Sequence, residues 1–228
     1  MSNNPPLNFH PDGTLFIVSG PSGAGKTTLI NAVRQELLPL GISLYFSISH
    51  TTREPRAGER EGVNYFYVSK LQFERMVAAG EFIEWARVHD EMYGTSRAEV
   101  RTRLDAGEDV ILDIDVQGAR QIAESEQLQP HSLSVFVFPP SINALQSRLE
   151  SRGLNSRSEI DLRMKKAFDE IEQGLSFYDY IIINDKLELA KEWLKASIIA
   201  RKLKSKSALV ELQKMAQRFK EERSGTIA

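Results

Sequence analysis

Eight residues restrict this chain more than any others: Gly20-Pro21-Ser22-Gly23-Ala24-Gly25-Lys26-Thr27 fits G-x-x-x-x-G-K-[ST]. The apolar run 15–19 precedes them, and a helical pattern starting near Lys26 follows. A buried strand that turns through glycines into a helix points successive N–H groups at an anion, and the helix N-terminus adds partial positive charge. Such a turn cradles phosphate. Lys26 is placed to reach the β and γ phosphates of a nucleoside triphosphate, and Thr27 to give its hydroxyl to Mg2+. Thr28 completes the set of donor-contacting residues. Hydrolases, motors and kinases all use a loop of this kind, so it does not name the phosphate acceptor.

The remainder of the chain sets the loop in an α/β fold. Short apolar runs at 15–19, 45–48, 110–114, 133–138 and 180–183 alternate with stretches of helical period, which predicts a parallel sheet flanked by helices. Charged turns and the aromatic segments 65–68 and 81–85 interrupt this rhythm and predict an inserted lobe with a small sheet of its own. The expected organisation is a flexible tail at 1–13 and one domain at 14–196. Its core covers 14–46 and 97–196, with an acceptor lobe at 47–96 and a lid at 153–160. A charged helical extension occupies 197–228.

Composition removes several classes of partner. Lys and Arg total 29 against 31 Asp and Glu, so no net field holds a nucleic acid. The chain has no cysteine, and its four histidines are scattered, which argues against redox and zinc chemistry. No apolar run approaches the roughly 20 residues needed to cross a bilayer, and no signal-peptide layout opens the chain. A cytoplasmic protein without membrane contact is the expectation.

Ser49-His50-Thr51-Thr52-Arg53-Glu54-Pro55-Arg56-Ala57-Gly58-Glu59 carries two arginines three apart, stiffened by Pro55 and released by Gly58. They can converge on one dianionic group; taken alone, such a pair is more often a solvated surface turn. Here the chain resembles guanylate kinase. The resemblance continues in register through Gly62 to Tyr67, Phe82 to Ala86, Tyr93-Gly94-Thr95, Leu112 to Gly118, Pro139-Pro140-Ser141, Arg148 to Gly153 and Asn184-Asp185. It covers roughly residues 14 to 196 and implies Mg-dependent transfer of the ATP γ-phosphoryl group to GMP, with dGMP as a plausible second acceptor.

The resemblance also implies roles. Ser49, Arg53, Arg56 and Tyr65, assisted by Tyr93, hold the acceptor's phosphate, while Glu84, Thr95 and Asp115 read its base and Glu59 belongs to the same wall. A carboxylate suits guanine, whose N1–H and exocyclic amine are both donors. Glu84 alternates with Ile83 and Trp85, so a solvent-facing strand carboxylate is its bland alternative. Asp113 and Asp115 close the strand at 110–114, where open α/β sheets bind ligands, and Asp113 is suited to Mg2+ and its water or to the acceptor region. Arg148 and Arg152 share one face of the helix beginning at Ser141. With Arg163 beyond the lid they match the family's phosphate-contacting arginines, and Asn184 its adenine contact. The family includes monomers and oligomers, so oligomeric state stays undecided. A phosphopeptide-binding module and a sugar-phosphate kinase are the alternatives; the intact loop disfavours the first and the base-reading set the second.

Overall fold

Leu15, Phe16, Ile17 and Val18 are each at most 1% exposed, so the strand they form must be covered on both faces. The computed structural model describes residues 13–88, 90–151, 157–174 and 177–203. In chain order the core begins with β1 (Leu15–Ser19), α1 (Lys26–Leu37) and β2 (Leu44–Phe46). The chain then leaves the core for β3 (His50–Thr51), β4 (Phe66–Tyr67), α2 (Lys70–Ala78), β5 (Phe82–Val88) and β6 (Glu91–Ser96). It returns as α3 (Arg97–Asp105), β7 (Asp109–Asp113), α4 (Val116–Ala123), β8 (Ser132–Phe138), α5 (Ile142–Ser151), α6 (Arg157–Gly174), β9 (Tyr180–Ile183) and α7 (Leu187–Leu203).

The core sheet has the order β2-β7-β1-β8-β9, and every neighbouring pair is parallel. Phe16 and Val18 pack on one side with Leu29 and Val33 of α1 and Leu194 and Ile198 of α7. Leu15 and Ile17 pack on the other with Val100 and Leu104 of α3 and Ala119 and Ile122 of α4. Each of the larger side chains contributes about 1.5–3 kcal/mol of burial, and this two-sided demand is why the strand reads as a continuous apolar run. The second sheet, in the order β4-β3-β6-β5, mixes parallel and antiparallel pairs and carries a small core of Phe73, Phe82 and Met92.

Four boundaries differ from the sequence expectation. The strand expected at 45–48 is β2 at Leu44–Phe46: the chain turns off at Ser47, whose hydroxyl donates to Glu99 Oε1 at 3.2 Å. The strand expected at 110–114 starts one residue earlier because Asp109 accepts from Thr14 N–H (3.0 Å) and pairs with Lys202 (2.9 Å). Of the expected lid at 153–160, residues 153–156 lie outside the described residues and 157–160 form the first turn of α6. Ile160 and Ala167 of that helix pack on Leu145 and Leu149 of α5, so the apolar period outweighs the turn formers there. The domain end expected at 196 falls inside α7, whose Ile198 is fully buried. The extension beyond 203 and the tail at 1–12 lie outside the described residues.

Candidate active site

The glycine-rich turn joins β1, at the centre of the core sheet, to α1. Gly25 adopts a left-handed conformation (φ 87°) at the N-cap of α1, and a Cβ there would fall 2.6 Å from Asn184 Nδ2. Only glycine satisfies both conditions. Lys26 Nζ donates to Gly20 O at 2.7 Å and lies 3.7 Å from Asp113 Oδ1. Thr27 Oγ1 donates to Asp113 Oδ2 at 2.6 Å, which parallel pairing of β7 beside β1 makes possible. Thr27 and Thr28 are exposed on the first turn of α1, as is Ser22 on the loop.

Asn184 braces the same loop from below. It is 5% exposed, its Nδ2 donates to Ala24 O at 2.7 Å, and its N–H donates to Phe138 O at 2.8 Å. The amide expected to contact adenine thus gives one N–H to the loop's main chain, a pairing across 160 residues that local pattern does not reveal. The Asn184 carbonyl also accepts from Arg148 NH2 at 2.9 Å, while Arg148 NH1 is buried and has no hydrogen-bond partner among the described residues. Arg163, on α6, brings NH1 within 3.5 Å of Ser22 Oγ. Arg152 lies outside the described residues. Two of the three expected helix arginines thus sit around the loop.

The arginine turn is organised from within by Glu59. Its carboxylate receives Arg53 NH2 at 2.9 Å, the Arg56 N–H at 2.8 Å and the Tyr67 hydroxyl at 2.9 Å. Burial pushes the Glu59 carboxyl up, but these three donors outweigh it and hold it below the ordinary range. Glu59 accordingly orients Arg53. Arg53 lies over the Tyr65 ring (5.4 Å to its centroid), and Tyr65 meets Tyr93 edge-on at 5.8 Å. Burial pushes the Tyr65 hydroxyl up to about 12, with the Asp113 charge the next cause. Arg56 is exposed and Ser49 half-buried, its carbonyl accepting from Phe66 N–H at 2.9 Å.

Glu84 is 4% exposed, which strand alternation with Ile83 did not foretell. A register shift between Phe82 and Glu84 in the β5–β6 pairing breaks that alternation, so both Ile83 and Glu84 turn inward. Thr95, fully buried on β6, donates its hydroxyl to Glu84 Oε1 at 2.5 Å. Burial raises the Glu84 carboxyl to about 7; Thr95 works against the rise and the nearby Asp115 charge adds to it. Asp115 itself is the N-cap of α4, accepting from Gly118 N–H at 2.9 Å. One group escaped the sequence reading altogether. Glu170 of α6 is raised to about 7 by burial despite Lys26 and Lys166, and nothing in an amphipathic helix pattern distinguishes it from a solvated carboxylate.

Comparison with known proteins places this geometry. The guanylate kinase family model matches residues 12–201. The chain is 48% identical over 191 residues to the guanylate kinase of Alkalilimnicola ehrlichii, covering 83% of this chain and 90% of that one. It is 45% identical over 194 residues to that of Carboxydothermus hydrogenoformans, covering 85% and 91%. With the crystal structure of guanylate kinase from Anaplasma phagocytophilum it shares 30% identity and a TM-score of 0.68, covering 85% of this chain and 88% of that one. A phosphate loop at the centre of a parallel sheet, an arginine turn on an inserted mixed sheet and a match over most of the sequence lead to one assignment: the chain belongs to the guanylate kinase family.

Proposed function

We propose that this chain moves the γ-phosphoryl group of ATP onto GMP, giving ADP and GDP, with dGMP as a second acceptor. The observation that carries the acceptor's identity is Glu84, a buried carboxylate with Thr95 behind it on the lobe that also bears the arginine turn. Guanine presents N1–H and an exocyclic amine to such an acceptor, whereas adenine has no N1–H to give. The influence of Asp113 on Tyr65 supports a shared cleft for the loop and the arginine turn.

In this reading the loop amides and Lys26 hold the ATP phosphates, and Arg53, Arg56, Ser49, Tyr65 and Tyr93 hold the phosphate of GMP. Arg148, with its unpartnered nitrogen, and Arg163 spread the charge of the transferring group; Arg152 is assigned the same task from its position in the motif. Phosphoryl transfer depends on positioning and charge stabilisation, so no general base is required. Thr27 and Asp113 offer adjoining hard oxygen donors that fit Mg2+, which usually takes few protein ligands and completes its shell with phosphate and water. When bound it supplies charge neutralisation at the β and γ phosphates. The parallel sheet with its helices acts as the donor-binding core, residues 47–96 as the acceptor lobe and the segment leading into α6 as the lid. The cytoplasm is the proposed location, since a bilayer excludes nucleotides of this charge.

A coupled assay with Mg·ATP and GMP, AMP or ribose phosphate tests the reading. GDP should form from GMP, with AMP and ribose phosphate far poorer acceptors. Folded protein that makes no GDP sinks the proposal.

A pH dependence follows. The ionised form of Glu84 accepts from guanine, and burial has raised its carboxyl to about 7. Below that pH the protonated form dominates, so KM for GMP should rise by up to about tenfold per pH unit and level off above pH 7. The phosphate of GMP titrates near 6, and Glu170 titrates beside Lys26. A Glu84→Gln series separates these contributions, because only the part due to Glu84 disappears. An unchanged profile in that variant removes Glu84 as its source.

A further inference from the structure

Helix α4 belongs to the core, yet it packs on the lobe's β5 in a way that the reaction scheme leaves unused. β5 is an edge strand: β6 occupies one side, and among the described residues no strand pairs with the other. There Gln121 of α4 takes the place of a neighbouring strand. Its Oε1 accepts from Trp85 N–H at 3.1 Å and its Nε2 donates to Trp85 O at 2.6 Å. One turn earlier, on the same face, stands Gly118. A Cβ at that position would fall 2.9 Å from Glu84 Cδ and collide with Oε2.

Gly118 is absent from the positive-φ glycines and lies within a helix, where alanine is the better former. Backbone freedom therefore does not explain the glycine; the Glu84 carboxylate does. Thr95 fixes one carboxylate oxygen, the bare main chain of Gly118 admits the other, and Gln121 fixes the peptide group of the next residue.

We propose that Gly118 and Gln121 are positioning residues for recognition of the acceptor's base, setting the Glu84 carboxylate from the core side. This rests on the guanine-reading role of Glu84 proposed above. It follows that the base-reading end of the lobe is tied to the core.

The test compares the wild type, Gly118→Ala and Gln121→Met, which keeps the side chain's length and removes both hydrogen bonds. KM and kcat are measured for GMP, for ATP and for IMP, which lacks the exocyclic amine. Each variant should raise KM for GMP by roughly tenfold, the loss of about one hydrogen bond. The preference for GMP over IMP should shrink, while KM for ATP stays within about twofold of the wild type.

A double-mutant cycle supplies the signature that general helix damage cannot give. In a Glu84→Asp background the shorter carboxylate leaves room for a Cβ, so Gly118→Ala should cost less there than in the wild type. Gln121→Met keeps the idea testable if Gly118→Ala does not fold. Unchanged GMP kinetics and GMP/IMP preference in the folded variants overturn the inference. A wild type that forms no GDP overturns the proposed function instead, so the two failures are distinguishable.

Discussion

Replacing Lys26 with methionine should lower kcat by about 10²–10³-fold, as losses of a single transition-state donor do, without unfolding the protein or abolishing GMP binding. The ammonium is half-buried, donates to Gly20 O at 2.7 Å and lies 3.7 Å from Asp113. A phosphate oxygen is a stronger acceptor than a carbonyl, because a charge-assisted hydrogen bond is roughly twice as strong as a neutral one. The side chain can thus leave its loop contacts for the donor at little cost. Methionine keeps the apolar stem and removes the charge. Steady-state kinetics should show the loss in kcat, and GMP titration should give an affinity near that of the wild type. A variant with full kcat removes Lys26 from the chemistry.

The other large effect is expected at Glu84. Glu84→Gln should lower kcat/KM for GMP by about 10³-fold, because an amide can accept only one of the two guanine donors and turns its own N–H toward the other. The same variant should be more stable than the wild type at pH 8. The folded-state carboxyl is raised to about 7 from an ordinary 4.5. Folding therefore disfavours its charged form, a cost absent below pH 4.5, growing as pH rises through 7 and fully present above. Glutamine abolishes that cost. Thermal melts should show a Tm about 5 °C higher at pH 8 and little difference at pH 4.5. A lower Tm at pH 8 would mean that burial is not the dominant influence on this carboxyl. Function here is bought with stability, as is common where an active site holds a charge out of water.

The sequence disclosed those parts of the site whose physics is local. Strand, glycine turn and helix are consecutive around Lys26, and the helix starts at the residue expected. The arginine turn was legible as a turn, but not the reason for its shape, since Glu59 gathers Arg53, the Arg56 main chain and Tyr67 through contacts that spacing does not specify. Glu84 was legible only through family resemblance. Its burial depends on a register shift in one sheet and a helix from another part of the fold. Nothing in the sequence near Asn184 shows that its amide also supports the phosphate loop, because the partner lies 160 residues away. Gly118 carried a faint signal, a glycine inside a helical window; Gln121 carried none, because a glutamine on a helix is ordinary until the strand it meets is known.

The brace beneath the phosphate loop also has a temporal meaning. Ala24 leaves the ribosome long before Asn184, which is 160 residues farther along the chain. At ordinary elongation rates the interval is on the order of 10–30 s. A nascent chain therefore displays the complete nucleotide motif well before the support that locks its shape has been synthesised. Competence to handle ATP waits for Asn184, and a product interrupted before that residue carries the motif without its support.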